Sequence, residues 1–112
     1  MLIYKIFRPS EWNTLKSQGK TLGAPIDIQD GYVHFSTAQQ VKETAAKHFA
    51  HEADLILLGL DSDALGDALK WEESRGGALF PHLYRALKIE DVLWDAPLPL
   101  LDGIHQFPED LT

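Results

Sequence analysis

The chain has 112 residues, 45% of them hydrophobic and 24% charged, and 10 Lys and Arg against 17 Asp and Glu leave a net charge of −7. That length holds one domain, residues 1–112, large enough to fold without staples. The acidic balance makes nucleic acid and membrane surfaces poor partners, since both need clustered cations, and the lack of cysteine excludes disulfides, thiol catalysis and Cys-held metal.

Leu2 to Phe7 alternates Leu2, Tyr4 and Ile6 with Ile3, Lys5 and Phe7, which predicts a strand. A helix follows, opened by Pro9 and Ser10, striped by Trp12 and Leu15 and stopped by Gly19. Thr21 to Gly31 carries turn signals at Gly23, Pro25 and Asp30-Gly31 and is expected as a loop. Tyr32 to Phe35 is a short strand. Ser36-Thr37-Ala38-Gln39 fits a capping box, and Ala38, Val41, Ala45 and Phe49 continue as the apolar face of a second helix, closed by His48, His51 and Glu52.

Leu55 to Leu60 is a continuous apolar run suited to a strand buried on both faces. Asp61 to Leu69 is a loop with one helical turn, Lys70 to Ser74 is extended, and Arg75-Gly76-Gly77 is a turn. His82 to Leu87 and Val92 to Trp94 are further strands, and Pro97, Pro99 and Pro108 send the tail over the surface. The later strands lack crossover helices and cannot all be parallel. The expected fold is α+β, with a mixed, mostly antiparallel sheet and two main helices. No run approaches the roughly 18 apolar residues of a membrane helix. Met1 to Lys5 lacks a signal-peptide pattern, so the expected location is the cytoplasm.

Three stretches carry candidate chemistry. In Tyr32-Val33-His34-Phe35-Ser36, period two puts Tyr32, His34 and Ser36 on one face. That is a ligand surface with His34 as donor or base, or else a structural histidine beside a capping serine. In Trp71-Glu72-Glu73-Ser74-Arg75-Gly76-Gly77, the glycines let backbone N–H groups approach an anion and Arg75 can clamp phosphate or carboxylate. Only one of Glu72 and Glu73 can face such a site. In Phe80-Pro81-His82-Leu83-Tyr84, His82 and Tyr84 share a face. If this strand lies near the first, two His, two Tyr and one Ser form a pocket. His48 and His51 have a spacing that can bind metal only with further ligands, and no metal is expected. Walker, G-x-G-x-x-G, G-x-S-x-G and H-E-x-x-H motifs are absent.

Taken together, several stretches resemble, over nearly the whole chain, the bacterial proteins called domain of unknown function 952. They are Ile3-Tyr4-Lys5-Ile6 with Trp12, Asp30 to Thr37, Gln40 with Glu43-Thr44-Ala45, Asp54 to Leu57, Trp71-Glu72 with Ser74 to Gly77, and Phe80 to Tyr84. The resemblance implies an ADP-ribosyltransferase-like fold, a split sheet that holds NAD in a cleft. Val33 to Ser36, a helix, then Leu55 to Asp61 is also similar to the NAD-binding half of RNA 2′-phosphotransferases, whose Arg- and His-rich N-terminal lobe has no counterpart here.

The same resemblance implies a nucleotide such as NAD as small-molecule partner, and ADP-ribosyl transfer or hydrolysis as reaction. His34 would hold the ribose, Glu72 would stabilise the oxocarbenium-like state, and His82 would act as general acid or base. Arg75, Gly76 and Gly77 would bind phosphate, Tyr84 or Tyr32 would stack on nicotinamide, and Ser36 would line the nucleotide site. Two other readings stand beside it. One is a non-catalytic module binding a small anion through Arg75, His34 and His82. The other is an accessory protein whose acidic surface meets a basic partner.

Overall fold

A computed structural model describes residues 1–109 and 111; Asp110, Thr112 and the side chain of Arg75 lie outside the described residues. Strand β1 (Leu2–Phe7) leads into helix α1 (Pro9–Gln18). Pro9 occupies the first helical turn, the Arg8 N–H donates to Glu11, and Gly19 ends the helix in the left-handed conformation with φ 79°. Then come β2 (Lys20–Thr21), α2 (Pro25–Asp30), β3 (Val33–His34), α3 (Val41–His48) and β4 (Leu55–Asp61). The second half is β5 (Leu69–Glu73), β6 (Leu79–Leu83), β7 (Leu87–Lys88), β8 (Val92–Leu98), β9 (Leu100–Leu101) and β10 (Ile104–His105), joined partly by 3₁₀ turns.

Two three-stranded sheets dominate. In one, β4 lies between β1 and β8; in the other, β6 lies between β3 and β5. Among the described residues one isolated bridge joins them: Tyr4 N–H donates to the Ser36 carbonyl at 2.7 Å and Ser36 N–H to the Tyr4 carbonyl at 2.9 Å. The expected α+β fold is present, but its sheets are not mixed: every strand pair among the described residues is antiparallel. No helix among the described residues is long and apolar enough to cross a membrane.

The first sheet is buried on both faces. On one face Ile3, Phe7, Leu58 and Leu60 pack with Trp12 and Leu15 of α1 and with Val33, Phe35 and Leu83. On the other, Tyr4, Ile6, Leu55 and Leu57 pack with Val41 and Ala45 of α3. This two-sided burial is what the apolar run Leu55 to Leu60 predicts.

The departures from expectation have local causes. The segment expected as one loop holds α2, a third helix, because Pro25 starts it, Asp27 accepts from the Ala24 N–H and Gly31 closes it. The second predicted helix starts later, at Val41. Its reciprocal contact is shifted one residue: Gln40 Oε1 accepts from the Thr37 N–H, and the Thr37 carbonyl accepts from Val41. Ser36 is thus a bridge residue and not the cap. The strand expected over His82 to Leu87 is two elements, β6 and β7, which pair with different partners. The tail continues β8 through Pro97 and folds into the β9–β10 hairpin instead of trailing over the surface.

Gly59 sits opposite Trp94 in the β4–β8 register, and a Cβ there would land inside the indole ring. Gly59→Ala should therefore destabilise the fold by about 1–3 kcal/mol through overpacking. Urea unfolding should show that loss largely abolished in a Trp94→Leu background.

Candidate functional site

The antiparallel register places His34 of β3 directly opposite His82 of β6. Period two then carries Tyr32 and Tyr84 onto the same face. On β5 the partner of His82 is Lys70, so Glu72, two residues on, lies diagonally beside His82, while Glu73 points to the other face. The four rings close into one cluster. Tyr32 stacks at 4.2 Å from His82, 4.7 Å from His34 and 5.1 Å from Tyr84, and the two imidazoles are 5.3 Å apart.

A carboxylate meets Nδ1 of each histidine. Glu72 Oε1 accepts from the Tyr84 hydroxyl at 2.6 Å and lies 2.9 Å from His82 Nδ1. The hydrogen bonds from Tyr84 and then His82 hold the Glu72 carboxyl below its usual range. The same hydrogen bond pushes the Tyr84 hydroxyl up to about 12. The Tyr32 hydroxyl is raised by burial, and further by the Asp30 and Glu72 carboxylates.

The second carboxylate belongs to Asp27 on α2. Its carboxylate is sealed from solvent and gathers Lys5 Nζ at 2.8 Å, the Ala24 N–H at 2.7 Å, the His34 N–H at 3.0 Å and His34 Nδ1 at 2.6 Å. Burial alone would raise the Asp27 carboxyl; the His34 hydrogen bond and the Lys5 ammonium outweigh it and bring it down to about 2. Burial conversely lowers Lys5, against the pull of Asp27. Lys5 Nζ also donates to the His34 carbonyl at 2.8 Å, so β1 fixes the backbone of the site as well. Since carboxylates only accept, His34 Nδ1 donates to Asp27, and the 3.0 Å contact between Nε2 and Asp30 Oδ2 is a hydrogen bond only with a proton on Nε2 as well.

The structure thus brings together Tyr32, His34, Glu72, His82 and Tyr84. It does not bring in Ser36, whose hydroxyl is buried 3.1 Å from Thr44 Oγ1. The glycine turn is the loop of the β5–β6 hairpin, and Gly77 is separated from His82 by roughly 17 Å of extended chain. Gly77 turns its N–H onto the Ser74 carbonyl, and so does not offer that donor to an anion as the sequence suggested. The Arg75 side chain, a predicted phosphate ligand, lies outside the described residues. Asp27, Asp30 and Lys5 do not stand out in the sequence as site residues. The signal for them is a lone lysine in an otherwise apolar strand, which needs a buried counter-charge.

A cleft of about 210 Å³ adjoins the cluster, lined by Leu22, Ile28, Tyr32 and Tyr84 among others. A larger one, about 420 Å³, lies away from it, between α3 and β10. Among the described residues no group of three or more His, Asp and Glu is placed to hold a metal ion. What remains is a face of stacked rings beside a fixed, ionised carboxylate. That arrangement suits a planar or cationic group better than a free phosphate.

The family model described as Protein of unknown function (DUF952) matches residues 6–95. No curated protein matches the chain. The crystal structure of protein CC0527 from Caulobacter crescentus is 48% identical, with a TM-score of 0.91, and the match covers 95% of this chain and 94% of that one. The solution NMR structure of CC0527 is 49% identical with a TM-score of 0.84, covering 94% and 91% of the two chains.

Proposed function

Because the chain belongs to the DUF952 family, whose description assigns no reaction, we propose a function from the chemistry of the cluster: a cytoplasmic protein that binds NAD or a related nucleotide and transfers or hydrolyses its ADP-ribosyl group. The observation that carries this reading is Glu72, a carboxylate held ionised by Tyr84 and His82 at the edge of a stack of aromatic rings. Breaking the nicotinamide–ribose bond leaves the electron pair on the departing nitrogen and an oxocarbenium-like ribose behind. A fixed anion stabilises that state more than the ground state.

In this reading Tyr84 and Tyr32 offer ring faces to nicotinamide. His34 approaches the ribose, and Arg75 with Gly76 meets the pyrophosphate. His82 is only 4% exposed and is bonded to Glu72, so it orients the carboxylate instead of exchanging protons with substrate. The ADP-ribosyltransferase-like identity of the split sheet belongs to the same proposal.

Titrating the ¹⁵N-labelled protein with NAD should give saturable amide shifts at His34, residues 75–77 and Tyr84, and nicotinamide release should accompany them. Silence at millimolar NAD would overturn the nucleotide reading. A second reading, a binding module without turnover, is favoured by one observation: both ring nitrogens of His34 face carboxylates, which leaves neither free as a base. Saturable shifts without nicotinamide release would select it.

A further inference from the structure

The larger cleft is built from different parts of the fold and carries groups that the cluster does not use. Its floor is Ala45 and Ala46 of α3 with Ile104 and Phe107, and its polar lining includes Lys42, His51 and His105. His105 is fixed by its Nε2, which lies 2.8 Å from the Glu52 carbonyl. A carbonyl only accepts, so Nε2 carries the proton, and Nδ1 of the neutral ring is an acceptor. No group among the described residues hydrogen-bonds Nδ1, and none of their buried side-chain nitrogens or oxygens is left without a partner. Nδ1 is therefore not sealed in the interior, and His105 is one of the residues that line the cleft.

The Lys42 ammonium and the His51 ring likewise have no partner among the described residues. His51 is held with φ 64°, a left-handed conformation that L residues seldom adopt, and its ring lies against Gly103 at the cleft wall. Lys42 thus sets a cation beside an apolar floor on a chain with a net charge of −7.

We infer that this cleft is a second ligand site, for a small amphipathic monocarboxylate. The carboxylate meets Lys42 and the N–H of His51. A ring or short chain lies on Ala45, Ala46 and Phe107. A hydroxyl at the far end donates to His105 Nδ1. The volume of about 420 Å³ sits at the small end of the roughly 300–1,000 Å³ of small-molecule sites, which suits one ring and not a dinucleotide. The site shares no residue with the ring cluster, so it stands whether or not the nucleotide reading does.

The test uses 3-(4-hydroxyphenyl)propanoate as probe, with the corresponding amide as its neutral control. The acid should shift the Ala45, Ala46 and Gly103 signals saturably, and the amide should bind at least about tenfold more weakly, the usual value of one charge-assisted hydrogen bond. Lys42→Ala, at an exposed position, should lower affinity for the acid by a similar factor without altering the spectrum elsewhere. Equal binding of acid and amide, an unchanged affinity in Lys42→Ala, or shifts confined to the Tyr32–Tyr84 cluster would overturn the assignment.

Discussion

Asp27→Ala is expected to cost about 3–5 kcal/mol of stability, because it strands the Lys5 ammonium in the interior without a counter-charge. Lys5 is 7% exposed and Asp27 receives hydrogen bonds from β1, β3 and its own helix start, so a single carboxylate ties three elements together. The double variant Lys5→Met/Asp27→Ala should recover much of the loss, since an apolar replacement leaves no buried charge. Urea unfolding of the three proteins at neutral pH decides it. A single-variant loss under about 1 kcal/mol would mean that solvent reaches Lys5. The same carboxyl sets an acid limit. Its ordinary value is 3.8 and it lies at about 2 in the fold, so between these values the unfolded chain takes up the proton first. Its contribution is complete above about pH 4 and is lost as pH falls through about 2, amounting to about 2 kcal/mol. The slope of stability against pH in that window should flatten in Asp27→Asn.

On the proposed chemistry, Glu72→Gln should reduce nicotinamide release by about 10²–10³-fold while leaving the fold intact. The side chain is 42% exposed and glutamine keeps its shape, so a loss of activity would report the charge. An independent readout accompanies it. The Tyr84 hydroxyl, held up at about 12 by the carboxylate, should ionise closer to its ordinary 10 once that anion is gone, which NMR of the Tyr84 ring would track. Retained activity together with a lowered Tyr84 value would remove Glu72 from the chemistry while confirming the contact.

Local pattern makes part of this legible. Alternation marks β1, the apolar run marks β4, and the i, i+2 spacing of Tyr32 with His34 and of His82 with Tyr84 marks two polar strand faces. Their meeting is not legible, because register depends on which strands pair, and that is decided by Val33, Phe35 and Leu83 joining the core behind them. Ser36 misleads because a serine before an amphipathic helix reads as a cap, whereas the bridge to Tyr4 takes its backbone. Asp27 is hidden in a stretch dense with turn residues. Its role comes from the burial of Lys5, a long-range fact that neighbouring residues do not encode.

The place of β1 in the fold also bears on synthesis. Its ladder partner is β4, with Leu2 opposite Asp61 and Phe7 opposite Ile56, so β1 leaves the ribosome well before the strand it pairs with. Until then Leu2–Phe7 is a nascent apolar segment of high strand propensity, the kind that associates between chains. Lys5 is its one charge. Before it becomes an internal cation it is a gatekeeper, keeping the unpaired segment hydrated until Asp27 and β4 arrive to receive it.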